Sequence, residues 1–272
     1  HLGTAWGWLF RRRVVATSED VVIVFGGPRR GKSQAAATTL IDAPGKVLAT
    51  SVRGDVLDST VGPRSQKGTV YIWNPERVGD TYGSSLRWNP VAGCEDPRVA
   101  ARRAGYMVEA NSPRGLSDGD FWSDQTSMVL AGYLHAAALV GYSMTEVYAW
   151  SNGQDNAPLR ILREAQGAFP ATRADLEHFQ KHMPDRTQGS VVTTLRRVLG
   201  FMRSPEVSGM LSPHPDPQVE MGLPTWFEVE DFLTSDDRAT LYLISSGDDG
   251  VTAPLFAALI AEIGYTVREV SA

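Results

Sequence analysis

Eight residues near the start of the chain have the types and spacing of a phosphate-binding loop. Residues 26–33, Gly-Gly-Pro-Arg-Arg-Gly-Lys-Ser, fit the pattern G-x-x-x-x-G-K-[S/T] without a mismatch. A polyphosphate needs several backbone N–H groups pointing inward at once. We expect Gly26, Gly27 and Gly31 to permit the tight backbone path that this requires, where side chains would obstruct it. The spacing therefore predicts a site for a nucleoside triphosphate.

Two side chains of this loop are assigned separate roles. Lys32 is placed to reach the β- and γ-phosphates and is the candidate catalytic residue, whereas the Ser33 hydroxyl is placed to bind Mg²⁺. A helix predicted from Gln34 to Leu40 would direct its positive N-terminal end at the anion. ATP and Mg²⁺ are thus the expected cofactors. The expected nucleotide contacts are Gly27, Pro28, Arg29, Arg30, Gly31, Lys32, Ser33 and Gln34.

The elements around the loop are those that the motif requires. Residues 21–25 are apolar and mostly β-branched, which predicts a buried strand directly before the loop. Further strands are predicted at residues 46–50 and 69–73, with a turn and a short helix over residues 51–60 between them. Strands that alternate with helices at this spacing indicate a parallel sheet covered on both faces, half of a doubly wound α/β core.

The character of the sequence changes after residue 96, because strand signals vanish and helical signals follow one another. The predicted helices cover residues 121–140, 156–167, 172–182 and 189–203. We predict that His135, in the first of them, is a hydrogen-bonded core residue. No other metal-ligating residue lies three or four positions from it.

The last sixty residues return to strand and helix signals. A Pro-rich linker leads to a predicted strand at residues 239–244 and an apolar helix at residues 253–267, and Asp248 and Asp249 are predicted to lie in a turn. The expected domains are the first part of a nucleotide-binding domain (14–95), an all-α insert (96–212) and the return to the first domain (213–272).

Composition and charge restrict the class of protein. Hydrophobic content of 42% and charged content of 21% are typical of a globular chain. A single cysteine, Cys94, excludes an internal disulfide framework and fits a reducing compartment. No apolar run approaches the ~18 residues of a membrane-spanning helix. The first residues lack an initiator Met, so we expect a piece of a longer chain.

The net charge of −5 hides an asymmetry. Residues 1–212 carry 24 Lys and Arg against 20 Asp and Glu, whereas residues 213–272 carry 2 against 11. This excludes a uniformly basic nucleic-acid binder but allows a local basic surface. Residues 160–212 carry the local excess and provide the candidate contacts with a DNA backbone. These are Arg160, Arg163, Arg173, Lys181, Arg186, Arg196, Arg197 and Arg203.

Taken together, the motifs resemble a known family over nearly the whole chain. Besides the loop, the matching stretches are residues 50–60, Trp-Asn-Pro at 73–75 and 88–90, Phe-Trp at 121–122, and Leu-Tyr-Leu-Ile at 241–244 before Asp-Asp-Gly. This combination resembles the type IV secretion coupling proteins, the TraG/TraD-like conjugative DNA-transfer ATPases. The chain departs from the family at Arg53, where many members have Lys.

The resemblance implies a fold and a role. The fold would be α/β, a RecA-like P-loop NTPase core with an inserted all-α domain. The role would be that of a homo-hexameric motor at the cytoplasmic face of the bacterial inner membrane. Its partners would be single-stranded DNA or a relaxase–DNA complex, components of the type IV secretion channel, and protein substrates that dock on the all-α domain.

A second departure concerns hydrolysis. Family members have a Walker B strand that ends in Asp-Glu, and no apolar strand of this chain ends that way. We therefore expect a fragment that lacks both the membrane anchor and the Walker B half, binds ATP and hydrolyses it weakly.

Two other functions stay open at this stage. One is an FtsK-like DNA translocase, against which the helical insert argues. The other is a substrate-recognition module in which the nucleotide is structural.

Overall fold

Helices and parallel strands make up most of the chain. The computed structural model describes residues 3–6, 11–14, 21–79, 81–111, 119–152, 155–235, 237–247 and 250–270. Within these ranges, no helix is both long enough and apolar enough to cross a membrane.

The first elements are a hairpin and an alternation of helices and strands. In chain order they are β1 (Gly3–Trp6), β2 (Arg11–Val14), α1 (Lys32–Asp42), β3 (Val47–Ser51), α2 (Asp55–Ser65), β4 (Val70–Trp73) and β5 (Leu86–Arg87). β1 and β2 pair antiparallel. Predicted strands 46–50 and 69–73 are confirmed as β3 and β4, and the short helix between them is α2.

Every element that the structure gives between Arg87 and Thr225 is helical. These elements are α3 (Pro97–Glu109), α4 (Gly119–Leu139), α5 (Met144–Trp150), α6 (Ala157–Glu164), α7 (Pro170–Lys181), α8 (Asp185–Val198), a 3-10 helix (Gly200–Arg203), α9 (Pro205–Gly209) and α10 (Pro217–Met221). Helix α4 is central, since it packs against α3, α6, α7 and α8. Its broad apolar face is buried, which is why this helix organises the others.

The chain then returns to the sheet through β6 (Thr225–Trp226), α11 (Val229–Thr234), β7 (Thr240–Ile244) and α12 (Ala253–Val270). β7 pairs parallel with β3 on one side and with β4 on the other. All five residues of β7 are buried, as expected for a central strand. β5 and β6, which flank the helical run, pair parallel with each other.

The prediction of a buried strand at residues 21–25 is wrong. Its side chains are 46% to 89% exposed, and its residues are not in a strand. β7 is already paired on both sides, and Ser85 covers the outer edge of β4 by exchanging hydrogen bonds with the backbone of Ile72. An apolar run becomes a buried strand only beside a partner, and no described strand pairs with this one.

The predicted helices are present with shifted bounds. The helix predicted to start at Gly189 begins at Asp185, and its last turn is the separate 3-10 helix. At the start of α6, Asp155 Oδ1 accepts a hydrogen bond from the Ala157 N–H at 2.7 Å. Asp248 and Asp249 lie outside the described residues.

The prediction for His135 is confirmed. The imidazole is fully buried, and its Nε2 accepts a hydrogen bond from the Phe169 N–H at 3.1 Å. The Nδ1 atom therefore carries the proton and donates to the Cys94 carbonyl at 2.8 Å. Burial also raises the pKa of the Cys94 thiol to about 11, so Cys94 is a neutral core side chain.

Replacing His135 with Phe should lower the free energy of unfolding, because it leaves the buried Cys94 carbonyl without a partner and removes the acceptor of the Phe169 N–H. We expect a loss of roughly 1–3 kcal/mol for the buried carbonyl and less for the part-buried N–H, measured by urea unfolding. His178→Phe, at an exposed position of α7, is the matched control and should change the stability by less than about 0.5 kcal/mol. Equal losses for both variants would contradict a structural role for His135.

Candidate functional site

The phosphate-loop motif forms an open turn at the N-terminal end of α1. Gly31 is the N-cap residue of this helix and has φ of 80°, in the left-handed region. No side chain caps the helix, and its first turn contains no acidic residue. The positive end of α1 and its first N–H groups are therefore uncompensated and available to an anion.

The side chain of Lys32 folds back over this turn. Its Nζ atom donates hydrogen bonds to the carbonyl oxygens of Gly26, at 2.7 Å, and Gly27, at 2.8 Å. The ammonium group is thus held at the mouth of the loop by two neutral acceptors. A phosphate oxygen carries more negative charge than a carbonyl oxygen, so these are contacts that a polyphosphate can replace.

All the predicted nucleotide contacts lie in this one stretch and are exposed. They are Gly27, Pro28, Arg29, Arg30, Gly31, Lys32, Ser33 and Gln34. Arg29 also has a positive φ, of 57°, which is uncommon for a residue other than glycine.

The expectation for the three glycines holds only in part. Glycine is favoured at position 31 because a side chain would be strained at its positive φ. A Cβ at Gly26 would lie 3.6 Å from the Arg30 Cβ, and one at Gly27 would lie 4.0 Å from the Arg30 Cγ. Both are ordinary van der Waals contacts, so the chain in this conformation does not exclude side chains at these two positions.

The residues present fit a magnesium nucleotide. The described residues contain no cluster of three or more His, Cys, Asp or Glu side chains that could hold a metal ion. Mg²⁺ is commonly held by few protein groups together with substrate phosphates. The exposed hydroxyl of Ser33, in the first turn of α1, suits that kind of binding.

The eight basic residues predicted to meet DNA do not form one surface. Arg163 and Lys181 both pair with Glu177, at 2.6 Å and 2.5 Å. The pKa of Glu177 lies below its ordinary value because Lys181, and after it Arg163, donates a hydrogen bond to its carboxylate. Arg196, Arg197 and Arg203 instead line one cleft together.

Sequence reasoning missed Glu76, which lines the same cleft. Its carboxylate accepts hydrogen bonds from the Ser246 N–H, at 2.6 Å, and from the Thr252 hydroxyl, at 2.9 Å. It thereby joins the loop after β4 to the loop after β7. The signal was present in the sequence, since Glu76 follows a predicted strand, and ligand sites of parallel sheets lie at the carboxyl ends of strands.

A family model and a solved structure match this chain. The family model for "Type IV secretory system Conjugative DNA transfer" matches residues 4–214. A solved structure of the bacterial conjugative coupling protein TrwB, in an unbound monoclinic form, superposes with a TM-score of 0.52 at 19% identity. The alignment covers 85% of this chain and 47% of that one, so this chain spans about half of the TrwB structure. No curated protein matches significantly by sequence.

Proposed function

Since the chain belongs to the type IV secretory system conjugative DNA transfer family, we propose that it carries the ATP-binding part of a motor that couples DNA, or a relaxase–DNA complex, to a secretion channel. The observation that carries the proposal is the position of Lys32, whose ammonium group is held by two loop carbonyls at the uncompensated positive end of α1.

The loop would bind the triphosphate by exchange of hydrogen bonds. Lys32 would leave the carbonyls of Gly26 and Gly27 for the β- and γ-phosphate oxygens, and the first N–H groups of α1 would bind the same anion. Ser33 would hold Mg²⁺ through its hydroxyl, and the ion, when bound, would neutralise charge on the phosphates. Each of these contacts binds or orients the nucleotide.

We further propose that this chain by itself hydrolyses ATP weakly. β7 ends at Ile244 and continues with Ser245, Ser246 and Gly247, so it offers no Asp-Glu pair to position water. We expect turnover at least about 1000-fold below the typical enzyme value of ~10 per second, measured by phosphate release. The control is Lys32→Ala, which should lower even this residual rate. Rapid release that depends on Lys32 would contradict the proposal.

The helical run would face the substrate. Its elements lie between β5 and β6, and the pairing of these strands brings the two ends of the run together. We propose that it forms the all-α domain (96–212) inserted into the nucleotide-binding domain. In the parent protein this domain would meet DNA and protein substrates in a homo-hexamer at the cytoplasmic face of the membrane.

The experiment that tests this function is ATP hydrolysis by the parent protein with and without DNA. A coupling motor should be stimulated by single-stranded DNA and silenced by Lys32→Ala. Stimulation by duplex DNA alone would favour an FtsK-like translocase. The recognition module would be favoured by two results together: the wild-type parent protein does not hydrolyse ATP, and the Lys32→Ala variant still binds its partner.

A further inference from the structure

A basic cleft of about 980 Å³ lies between the helical run and the sheet. One wall is formed by the end of α8, the 3-10 helix and the start of α9. The other wall is formed by the loops after β4 and β7, which contribute Glu76, Val251 and Thr252. No residue of the phosphate loop lines this cleft, so it is a separate site.

Three arginines give the cleft its positive charge. Arg196 and Arg197 lie in the last turn of α8, Arg203 lies in the 3-10 helix, and all three are exposed. None of the three forms an ion pair with a carboxylate in the part of the chain that the structure describes. Among the described residues that line the cleft, Glu76 alone carries a carboxylate, which accepts hydrogen bonds from Ser246 and Thr252.

The remaining surface of the cleft is in part apolar. Val192, Phe201, Val207 and Val251 line it together with Thr193, Ser204 and Thr252. A site with cations and an apolar lining suits a ligand that has both anionic and apolar parts. Nucleic acid has this composition, with phosphates that planar guanidinium groups bind in a fork geometry and with sugars and bases that cover apolar surface.

We propose that this cleft binds the sugar–phosphate backbone of a single nucleic-acid strand. A single strand can bend into a concave site, whereas a duplex presents its phosphates on a stiff convex surface. A strand bound here would touch α8 and the loop after β7 at once. The choice of ligand rests on the proposed DNA-transfer function, but the site does not depend on the nucleotide loop.

The test is fluorescence anisotropy of the full chain with a labelled oligothymidine of ~20 nucleotides, longer than common single-strand sites, without ATP. The test variant combines Arg196→Gln, Arg197→Gln and Arg203→Gln. For three lost phosphate contacts, the slope of log K against log salt should become shallower by about 2 and the affinity should fall about 100-fold at ~0.1 M salt.

A matched variant removes the same charge outside the cleft. It combines Arg160→Gln, Arg173→Gln and Arg186→Gln, all at exposed positions that are absent from the cleft lining. It should weaken binding less than about 3-fold, because it removes only long-range attraction that salt screens. Equal losses in the two variants would overturn the proposal.

Competition identifies the class of ligand. Unlabelled single strand should displace the probe, and duplex DNA or polyglutamate should do so at least about 10-fold less well. Equal competition by either would overturn the assignment to a single strand. If the triple variant does not unfold cooperatively, the single variant Arg196→Gln takes its place in the test. Its slope of log K against log salt should be shallower than that of the wild type by about 0.7.

The Lys32→Ala variant separates this inference from the proposed function. It should bind the oligonucleotide as the wild type does, since Lys32 lies outside the cleft. If the wild-type chain bound the oligonucleotide but no nucleotide, this would count against the motor and leave the cleft standing. Loss of oligonucleotide binding in Lys32→Ala would contradict a separate site.

Discussion

Replacing Arg64 with Met should lower the free energy of unfolding by about 3–5 kcal/mol, because buried acceptors lose hydrogen bonds from a charged donor that contribute about 1.5–3 kcal/mol each. Arg64 is fully buried in the last turn of α2. The negative end of that helix dipole lies near the guanidinium and stabilises its positive charge. Its role is structural, because its guanidinium donates hydrogen bonds to three backbone carbonyls and to one hydroxyl of the sheet region.

The guanidinium of Arg64 connects three parts of the α/β region. Nη1 donates to the Ala43 carbonyl at 3.0 Å, and Nη2 donates to the Gly45 carbonyl at 3.0 Å and to the Arg238 carbonyl at 2.7 Å. Nε donates to the Thr240 hydroxyl at 2.7 Å. A methionine fills similar space but donates nothing, so four acceptors lose their partner.

The measurement for Arg64 is the midpoint and slope of a urea unfolding curve. Arg53→Met, at an exposed position just before α2, is the matched control and should shift the stability by less than about 0.5 kcal/mol. A similar stability for Arg64→Met and Arg53→Met would mean that these hydrogen bonds do not hold α2 on the sheet.

Replacing Lys32 with Ala should weaken binding of ATP by about 100-fold or more. Hydrogen bonds from a charged donor contribute about 1.5–3 kcal/mol each, and Lys32 has two acceptors in the loop that phosphate oxygens would replace. The fold should be unaffected, because Lys32 is exposed. The measurement is a titration with a fluorescent ATP analogue at constant Mg²⁺.

The control for Lys32 removes one lysine charge elsewhere. Lys181→Ala changes an exposed residue on α7 and should leave nucleotide affinity within about 3-fold of the wild type. If both lysine variants bind the analogue like the wild type, Lys32 has no contact with the phosphates.

Apolar sequence patterns predicted strands correctly where the structure also describes a neighbouring strand that pairs with them. β3, β4 and β7 were predicted because short apolar runs bounded by turn residues specify buried strands, and here each run has a neighbouring strand. Residues 21–25 carry the same pattern but pair with no described strand, so their propensity did not make a strand. Pairing is a property of the tertiary structure, which a pattern in five residues does not contain.

The candidate site, too, could be predicted from the sequence only in part. The order of Gly31, Lys32 and Ser33 along the chain fixes a turn at the start of a helix, so the loop could be located from sequence. Which of eight basic residues share a cleft could not, because α8, the 3-10 helix and the loop after β7 meet only in the folded chain. Counting charges showed a local excess of Lys and Arg over Asp and Glu. Packing of the folded chain places Arg196, Arg197 and Arg203 in one cleft. It also pairs Arg163 and Lys181 with Glu177.

Titration of the wild-type chain with a fluorescent ATP analogue is the most direct test of the central claim, that the turn before α1 binds a triphosphate. We expect saturable binding with one analogue per chain, weakened when Mg²⁺ is removed and displaced by unlabelled ATP but not by adenosine, because the loop contacts phosphates. A signal that never saturates, or that adenosine displaces as well as ATP, would contradict the account.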